Sequence, residues 1–246
     1  MNLILFEEDE RDLPLQKRDP RAIHLVKTLH KKAGDEFDAG ILGGKRGKGR
    51  ITQVFDDGRL LFSLNLTEFP PPRLPVTVAV GFPRPIQTRR LLRDLSSMGV
   101  SAVHLVCCEL SDKNYLKTTL LEDGGARAAL IEGASQSRDT TLPQIAVFSS
   151  LKEWLEDGGV NECPEASRIA CDNVEPEGVL GGVQNACPAA LAIGPERGWS
   201  DRERLQFRNA GFKRLSLGCR ALRTETACIA AIAALGVLSS YEQSSV

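Results

Sequence analysis

"KRLSLGCRALRTETACIAAIAALGVL", residues 213–238, passes from a short β-prone run through a glycine into a long run of small apolar residues. A strand over 213–217 that ends at a glycine and leads into a helix beginning near Thr224 is a building unit of an α/β fold. The helix is apolar on nearly every face and is expected to be buried. Its mouth, however, is polar. Thr224 and Thr226 suit a helix cap, and Glu225 suits the positive end of the helix dipole. Arg220 and Arg223 do not: a cation at a helix amino terminus has the wrong sign, so an acid or an anionic ligand is expected to meet them.

Just upstream, "AIGPERGWSDRE", residues 192–203, has the same form. A strand over 189–194 bends through Gly194-Pro195, and Ser200 or Asp201 is placed to cap a helix over 200–210 with Glu203 in its first turn. Glycines let a ligand approach the main chain closely, although any tight turn would also use Gly and Pro. Further upstream the alternation continues, with strands expected over 76–81, 102–107, 144–148 and 168–172 and helices over 86–98, 123–137 and 151–157. Apolar strands alternating with helices imply a mainly parallel sheet covered on both faces, whose ligands bind beyond the carboxyl ends of the strands.

The four prolines of "EFPPPRLP", residues 68–75, mark a domain boundary, because proline removes a backbone donor and fixes φ. Before it, apolar runs at 2–6, 36–42, 50–55 and 59–66 suggest a small β-rich domain, with one helix-like stretch at 21–30. Within it "GGKRGKGR", residues 43–50, looks like a phosphate loop but lacks the Ser/Thr and the following helix. Lys45, Arg46, Lys48 and Arg50 read either as a flexible basic prong for backbone phosphates or as a solvated hairpin tip. Residues 17–32 carry six basic side chains against Asp19, and residues 202–223 carry seven against Glu203. Such clusters raise a nucleic-acid reading, with the second run forming an RNA-facing rim or merely a solvated surface.

The bulk numbers exclude more than they assign. The chain has 246 residues, 42% hydrophobic and 26% charged, with a formal net charge of -1. No segment approaches the roughly 18 apolar residues of a membrane span, and "MNLILFEEDERD" turns acidic too early for a signal peptide. A cytoplasmic protein without membrane attachment is expected. The seven cysteines form no Cys-x-x-Cys pair and the three histidines lack metal-ligand spacing, so no metal centre is expected.

Taken together, "IGPERGWSDRE" and "LSLGCRALRTETA" resemble the two signature loops of the ribosomal RNA uridine-N3 methyltransferase (RsmE) family of the SPOUT superfamily. "IEGASQSRDTTLPQI", residues 131–145, and "DPRAIHLVKTLHKKAGDEF", residues 19–37, are similar to two further segments of that family, so the resemblance covers nearly the whole chain. It implies a PUA-like β-barrel that binds RNA over 1–72, and over 76–246 an α/β SPOUT domain with a deep trefoil knot. It also implies a homodimer and S-adenosylmethionine as cofactor, held by Ile193, Gly194, Pro195, Glu196, Gly198, Leu217, Gly218, Leu222, Arg223 and Thr226. The implied partner is small-subunit (16S) ribosomal RNA or the subunit itself, contacted by Arg21, Lys45, Arg46, Lys48, Arg50, Arg84 and Arg138.

The implied reaction is methylation of uridine N3. That nitrogen must lose its proton, so an arginine is expected to stabilise the developing imide anion. Arg223 is the first candidate and Arg220 the next, with Glu196 or Glu225 either accepting the proton or orienting an arginine. The sequence departs from the family pattern at Arg197, Trp199 and Cys219, and at Asp94, Ser97 and Asp139, where charge is altered on surfaces expected to contact RNA. Methylation at another RNA position, and a non-catalytic RNA-binding protein of the same fold, are the alternative readings.

Overall fold

The computed structural model describes residues 3–112, 114–115, 121, 124–158, 165–183 and 186–235. The chain divides into two compact units, Met1–Pro72 with Ile131–Leu142, and Arg73–Leu130 with Pro143–Val246.

In the first unit β1 (Ile4–Phe6), β2 (Glu36–Ile41), β3 (Arg46–Val54) and β4 (Leu60–Glu68) form one sheet in the order β1-β2-β3-β4. β1 runs parallel to β2 and the other pairs are antiparallel. Phe6, Leu25, Phe37, Ile51 and Leu60 form the core, with Phe6 stacked on Phe62 at 4.7 Å. The expected helix at 21–30 is shorter: α1 (Pro20–Ile23) has Asp19 as its cap and Pro20 in its first turn. It passes into a π-helical stretch over His24–Thr28, closed by the Leu29 N–H donating to the His24 carbonyl at 2.9 Å.

A closed barrel is not seen among the described residues. Closure needs a ladder along the outer edge of β4, and only a single bridge, Leu15 to Leu60, meets that strand there. The expectation of a flexible basic prong is also corrected. Arg46 to Arg50 lie inside β3, leaving Lys45 at the turn, 4.6 Å over the ring of Phe69. Gly47 and Gly49 serve packing: a β-carbon would stand 2.3 Å from the Asn65 carbonyl oxygen at Gly47, and 2.3 Å from the Phe37 ring at Gly49.

Several cations of this unit are also partnered. Lys48 pairs with Asp38 at 2.7 Å, Arg46 with Glu68 at 3.3 Å, and the Arg50 Nε–H donates to the Gly34 carbonyl at 3.2 Å. Arg21 is held by Glu10 at 2.6 Å and Asp19 at 2.7 Å while donating to the Leu5 carbonyl, so it fastens the chain instead of standing open to RNA. Segment Ile131–Leu142 joins the unit through Thr140, whose hydroxyl donates to the Gly44 carbonyl at 2.6 Å. Asp139 in this segment is only 4% exposed and accepts from the Thr141 N–H at 2.9 Å, which removes it from any RNA-facing surface.

In the second unit the alternation continues as β5 (Leu74–Gly81), α2 (Pro85–Ser97), β6 (Val100–Val106), α3 (Gly125–Ser137), β7 (Gln144–Phe148), α4 (Leu151–Asp157), β8 (Ser167–Cys171), β9 (Gly178–Val179), β10 (Ala189–Ile193), α5 (Asp201–Asn209), β11 (Lys213–Ser216) and α6 (Thr224–Ala234). The last residues of α3 belong to the first unit. The sheet order is β7-β6-β5-β10-β8-β11-β9, and every neighbouring pair is parallel. Buried Trp154, Trp199, Phe207 and Phe212 pack beside Ala190 and Ala192 of β10. This is the expected α/β architecture with a parallel sheet. The two-residue β9 went unforeseen because so short a run carries no periodicity.

Helix α6 buries Cys228, Ala231 and Ile232 but leaves Ile229 40% exposed, so it is covered on one side only; residues 123 and 236–238 of the expected helices lie outside the described residues. Among the described residues no helix is long and apolar enough to cross a membrane. Replacing Gly49 with alanine is expected to lower the free energy of unfolding by about 1–3 kcal/mol through overpacking against Phe37, measured by urea titration.

Candidate functional site

The parallel strands β8, β10 and β11 end side by side, and the loops beyond them enclose a pocket of about 220 Å³. The loop after β10 makes a tight turn: the Gly198 N–H donates to the Pro195 carbonyl at 2.8 Å, and Gly198 takes φ +71°, which favours glycine. This loop presses against the end of β5. A β-carbon on Gly81 would stand 2.4 Å from Cδ of Pro195, so only glycine lets the two main chains approach this closely.

Trp199 anchors the far side of the turn. It is 3% exposed, its Nε1–H donates to the Cys171 carbonyl at 3.0 Å, and its ring meets Phe207 edge-on at 4.7 Å. Ser200 then caps α5 in a capping box with Glu203. The buried Glu203 carboxylate accepts from the Ser200 N–H and the Glu109 N–H, both at 2.8 Å, and so ties the helix start to the segment after β6.

The second loop leaves β11 through Leu217 and Gly218, the latter at φ +112°. Here the cap expected from the threonines is corrected. Arg223 occupies the cap position of α6 with no side-chain cap, and the Thr224 hydroxyl instead donates to the Gly194 carbonyl at 3.3 Å. The hydroxyl therefore bridges the two loops. Arg220 and Arg223 are exposed, and neither has a carboxylate partner among the described residues. The charge with the wrong sign for the helix end thus stands uncompensated.

Asp172, directly after β8, lines the same pocket and was missed by sequence reasoning. Its side chain is 4% exposed and lies 2.7 Å from Arg204 Nε on α5 and 3.5 Å from Arg214 Nη1 on β11. Arg214 also donates to the carbonyls of Val174 and Glu175 at 3.2 Å. The hydrogen bond to Asp172 favours the charged form of Arg204 further. The basic run 202–223 is therefore not a uniform rim, because Arg204 and Arg214 turn inward. An acid at the carboxyl end of an expected strand, facing seven downstream cations, was the available signal.

Of the residues expected to hold a cofactor, Ile193, Gly194, Pro195, Glu196, Gly198, Leu217 and Leu222 line the pocket, as does Arg220; Gly218, Arg223 and Thr226 do not. Arg84 precedes α2 as its exposed cap residue, and Arg138 pairs with Asp38 in the first unit at 2.8 Å. The thiol of Cys171, also in the pocket wall, is pushed up to about 12 by burial and stays neutral. Small and apolar residues of the two loops share the wall with the charged Asp172, Glu196, Arg197, Arg204 and Arg220. Such a site binds and orients a ligand without supplying a nucleophile of its own.

An RNA methyltransferase domain model matches residues 70–236. The chain is 36% identical over 246 residues to the ribosomal RNA small subunit methyltransferase E of Treponema pallidum, covering 95% of this chain and 90% of that protein. It is 31% identical to the ribosomal RNA small subunit methyltransferase E 1 of Borreliella burgdorferi, covering 94% and 95%. Among solved structures, a probable rRNA-methyltransferase from Porphyromonas gingivalis superposes with a TM-score of 0.75 at 22% identity, covering 97% and 98% of the two chains. The ribosomal RNA small subunit methyltransferase E from Neisseria gonorrhoeae, bound to S-adenosyl methionine, does so with a TM-score of 0.73 at 22% identity and the same coverage. At this identity the two structures bear on the fold.

Removing the buried carboxylate while leaving both arginines in place should be costly. Asp172→Ala is expected to lower stability by about 3–5 kcal/mol and Asp172→Asn by less, both read from chemical denaturation.

Proposed function

The chain belongs to the ribosomal RNA small subunit methyltransferase E family, and on that premise we propose that it uses S-adenosylmethionine to methylate N3 of a uridine in 16S ribosomal RNA. The observation that carries this reading is the meeting of two glycine-bearing loops at the carboxyl ends of β8, β10 and β11, with Arg220 and Arg223 unpaired among the described residues beside them. The fit to the cofactor rests on the same loops. The left-handed turns at Gly198 and Gly218 have open space around them, where a β-carbon would meet nothing within 4 Å. Ile193, Leu217 and Leu222 offer an apolar wall for a flat base. Gly194, Pro195, Glu196 and Gly198 would bring main-chain groups to the ligand, with Gly218, Arg223 and Thr226 at its margin.

When bound, S-adenosylmethionine supplies an electrophilic methyl group. The protein's part is to place uridine N3 in line and to make loss of its proton easier. The exposed guanidinium of Arg223, helped by Arg220, would stabilise the imide anion as the N3 proton leaves. Glu196, on the turn that faces the pocket, orients an arginine or accepts that proton.

In the same reading the first unit is a PUA-like RNA-binding domain, and the second is a SPOUT domain whose carboxyl-terminal segment is knotted. The partly exposed Leu222 and Ile229 support a homodimer that covers α6 and the pocket mouth. Lys45, Arg50 and Arg84 are exposed cations that would meet RNA. The cytoplasm, where the ribosomal substrate resides, is the compartment.

Calorimetric titration with S-adenosylmethionine tests the cofactor, and absence of binding would remove every methyltransferase reading in favour of a non-catalytic RNA-binding protein. Mass mapping of ribosomal RNA from a deletion strain, complemented by assays on naked RNA and on small subunits, tests the position; a methyl lost from anything but a uridine base would overturn it. Arg223→Ala is expected to slow methyl transfer about 100-fold or more while changing stability by less than about 0.5 kcal/mol.

A further inference from the structure

The first unit has a cleft of its own. A cavity of about 530 Å³ is lined entirely by residues of that unit, among them Asp38, Arg46, Lys48, Asn65 and Arg138. The volume falls in the range of about 300–1,000 Å³ that ligand clefts span. A smaller hollow of about 210 Å³ shares Asp38 and Lys48 with it and adds Lys31 and Glu36.

Asp38 is gripped from two directions where these hollows share their wall. Lys48 Nζ lies 2.7 Å from Oδ1, and Arg138 Nη2 lies 2.8 Å from Oδ2. Both cations keep more than half of their side chains in solvent, at 58% and 56% exposure. Pairs so exposed are weak and exchangeable. Arg138 is also held in a backbone conformation that a residue with a β-carbon avoids, φ 61°. Its carbonyl accepts from Arg46 Nη1 at 2.7 Å, and the Thr140 carbonyl two residues on accepts from the Gly43 N–H at 2.8 Å. The neighbouring contacts therefore hold the turn that delivers the guanidinium to the cleft. Arg46 adds a spare donor: its buried Nε, 3.3 Å from Glu68 but misaligned, has no hydrogen bond among the described residues.

A carboxylate held between an ammonium and a guanidinium stands where a phosphodiester would bind. We infer that this cleft takes a phosphate of a single-stranded RNA segment, and that Asp38 is an internal anion which the phosphate displaces from Arg138 and Lys48. Asn65 and Thr67 on the same wall offer uncharged donors for phosphate and ribose oxygens, beside the carboxylate of Glu68; the Ser137 hydroxyl is spent on the Gly133 and Ala134 carbonyls. A concave cleft admits an unstacked nucleotide, whereas duplex RNA offers a regular helical surface. The inference rests on the proposed action on ribosomal RNA and adds where, and in competition with which group, the strand is held.

The test uses the full chain and a fluorescein-labelled oligouridylate, single-stranded or paired with its complement, with anisotropy read across a salt series. Asp38→Asn is expected to tighten single-strand binding about threefold or more by removing the competing anion. Arg138→Ala is expected to weaken it about tenfold and to reduce the slope of log affinity against log salt by about 0.7, while Arg138→Lys keeps the slope. Thermal melting of each variant separates a lost contact from a lost fold. If the wild type binds RNA but Asp38→Asn does not bind more tightly, or Arg138→Ala leaves affinity and slope unchanged, this inference fails and the ribosomal RNA reading stands. Equal affinity for the duplex also defeats it. A wild type that binds neither RNA form would overturn the ribosomal RNA reading itself.

Discussion

One buried carboxylate organises the second unit. Asp172 follows β8, Arg204 sits on α5 and Arg214 on β11, so two arginines from separate elements converge on one acid that water barely reaches. Such a group is costly unless both its charge and its lone pairs are met. Meeting them fixes where α5 and β11 lie against the end of β8, and hence where the pocket wall runs. The loops that follow can then be built from glycine, proline and main-chain groups because the ion cluster behind them supplies the rigidity.

The two loops are joined by short-range devices as well. Thr224 donates to the Gly194 carbonyl, Trp199 donates to the Cys171 carbonyl, and Gly81 lets Pro195 lie against β5. Each contact places a main-chain segment that carries little side-chain chemistry of its own. This suits a methyl transfer, in which alignment of the nucleophile dominates the rate. Arg220 and Arg223 have no carboxylate partner among the described residues, and the helix dipole does not favour them.

Basic residues behave differently in the two units from what their clustering suggests. Arg21, Arg46 and Lys48 lie in basic stretches of the first unit, yet each meets a carboxylate there, as does the isolated Arg138. A count of cations along a chain measures neither exposure nor pairing. Partners such as Asp38 for Arg138 and Asp172 for Arg204 lie 100 and 32 residues away. The same distance in sequence hid the role of Gly47 and Gly49, which looked like a phosphate cradle and instead make room for β4 and Phe37.

Much of the fold was nevertheless legible. The strands at 144–148 and 189–194, the helix at 151–157 and the capping box at Ser200 are written in local periodicity and cap chemistry, which depend on neighbours within a turn or two. The glycines at 194 and 198 marked a pocket-lining turn for a similar reason, since φ preferences are local properties, whereas Gly218 and Arg223 lie outside the pocket wall. By itself, then, the sequence determined the alternation of strands and helices and the position of the two glycine-bearing loops at the strand ends. Only the tertiary structure decided the sheet order, the open edge of the first sheet, the inward turn of Arg204 and Arg214, and the use of Thr224 as a bridge instead of a cap. Those features depend on which distant groups can reach each other to satisfy buried charge and main-chain polarity, and that reach exists only once the chain has folded.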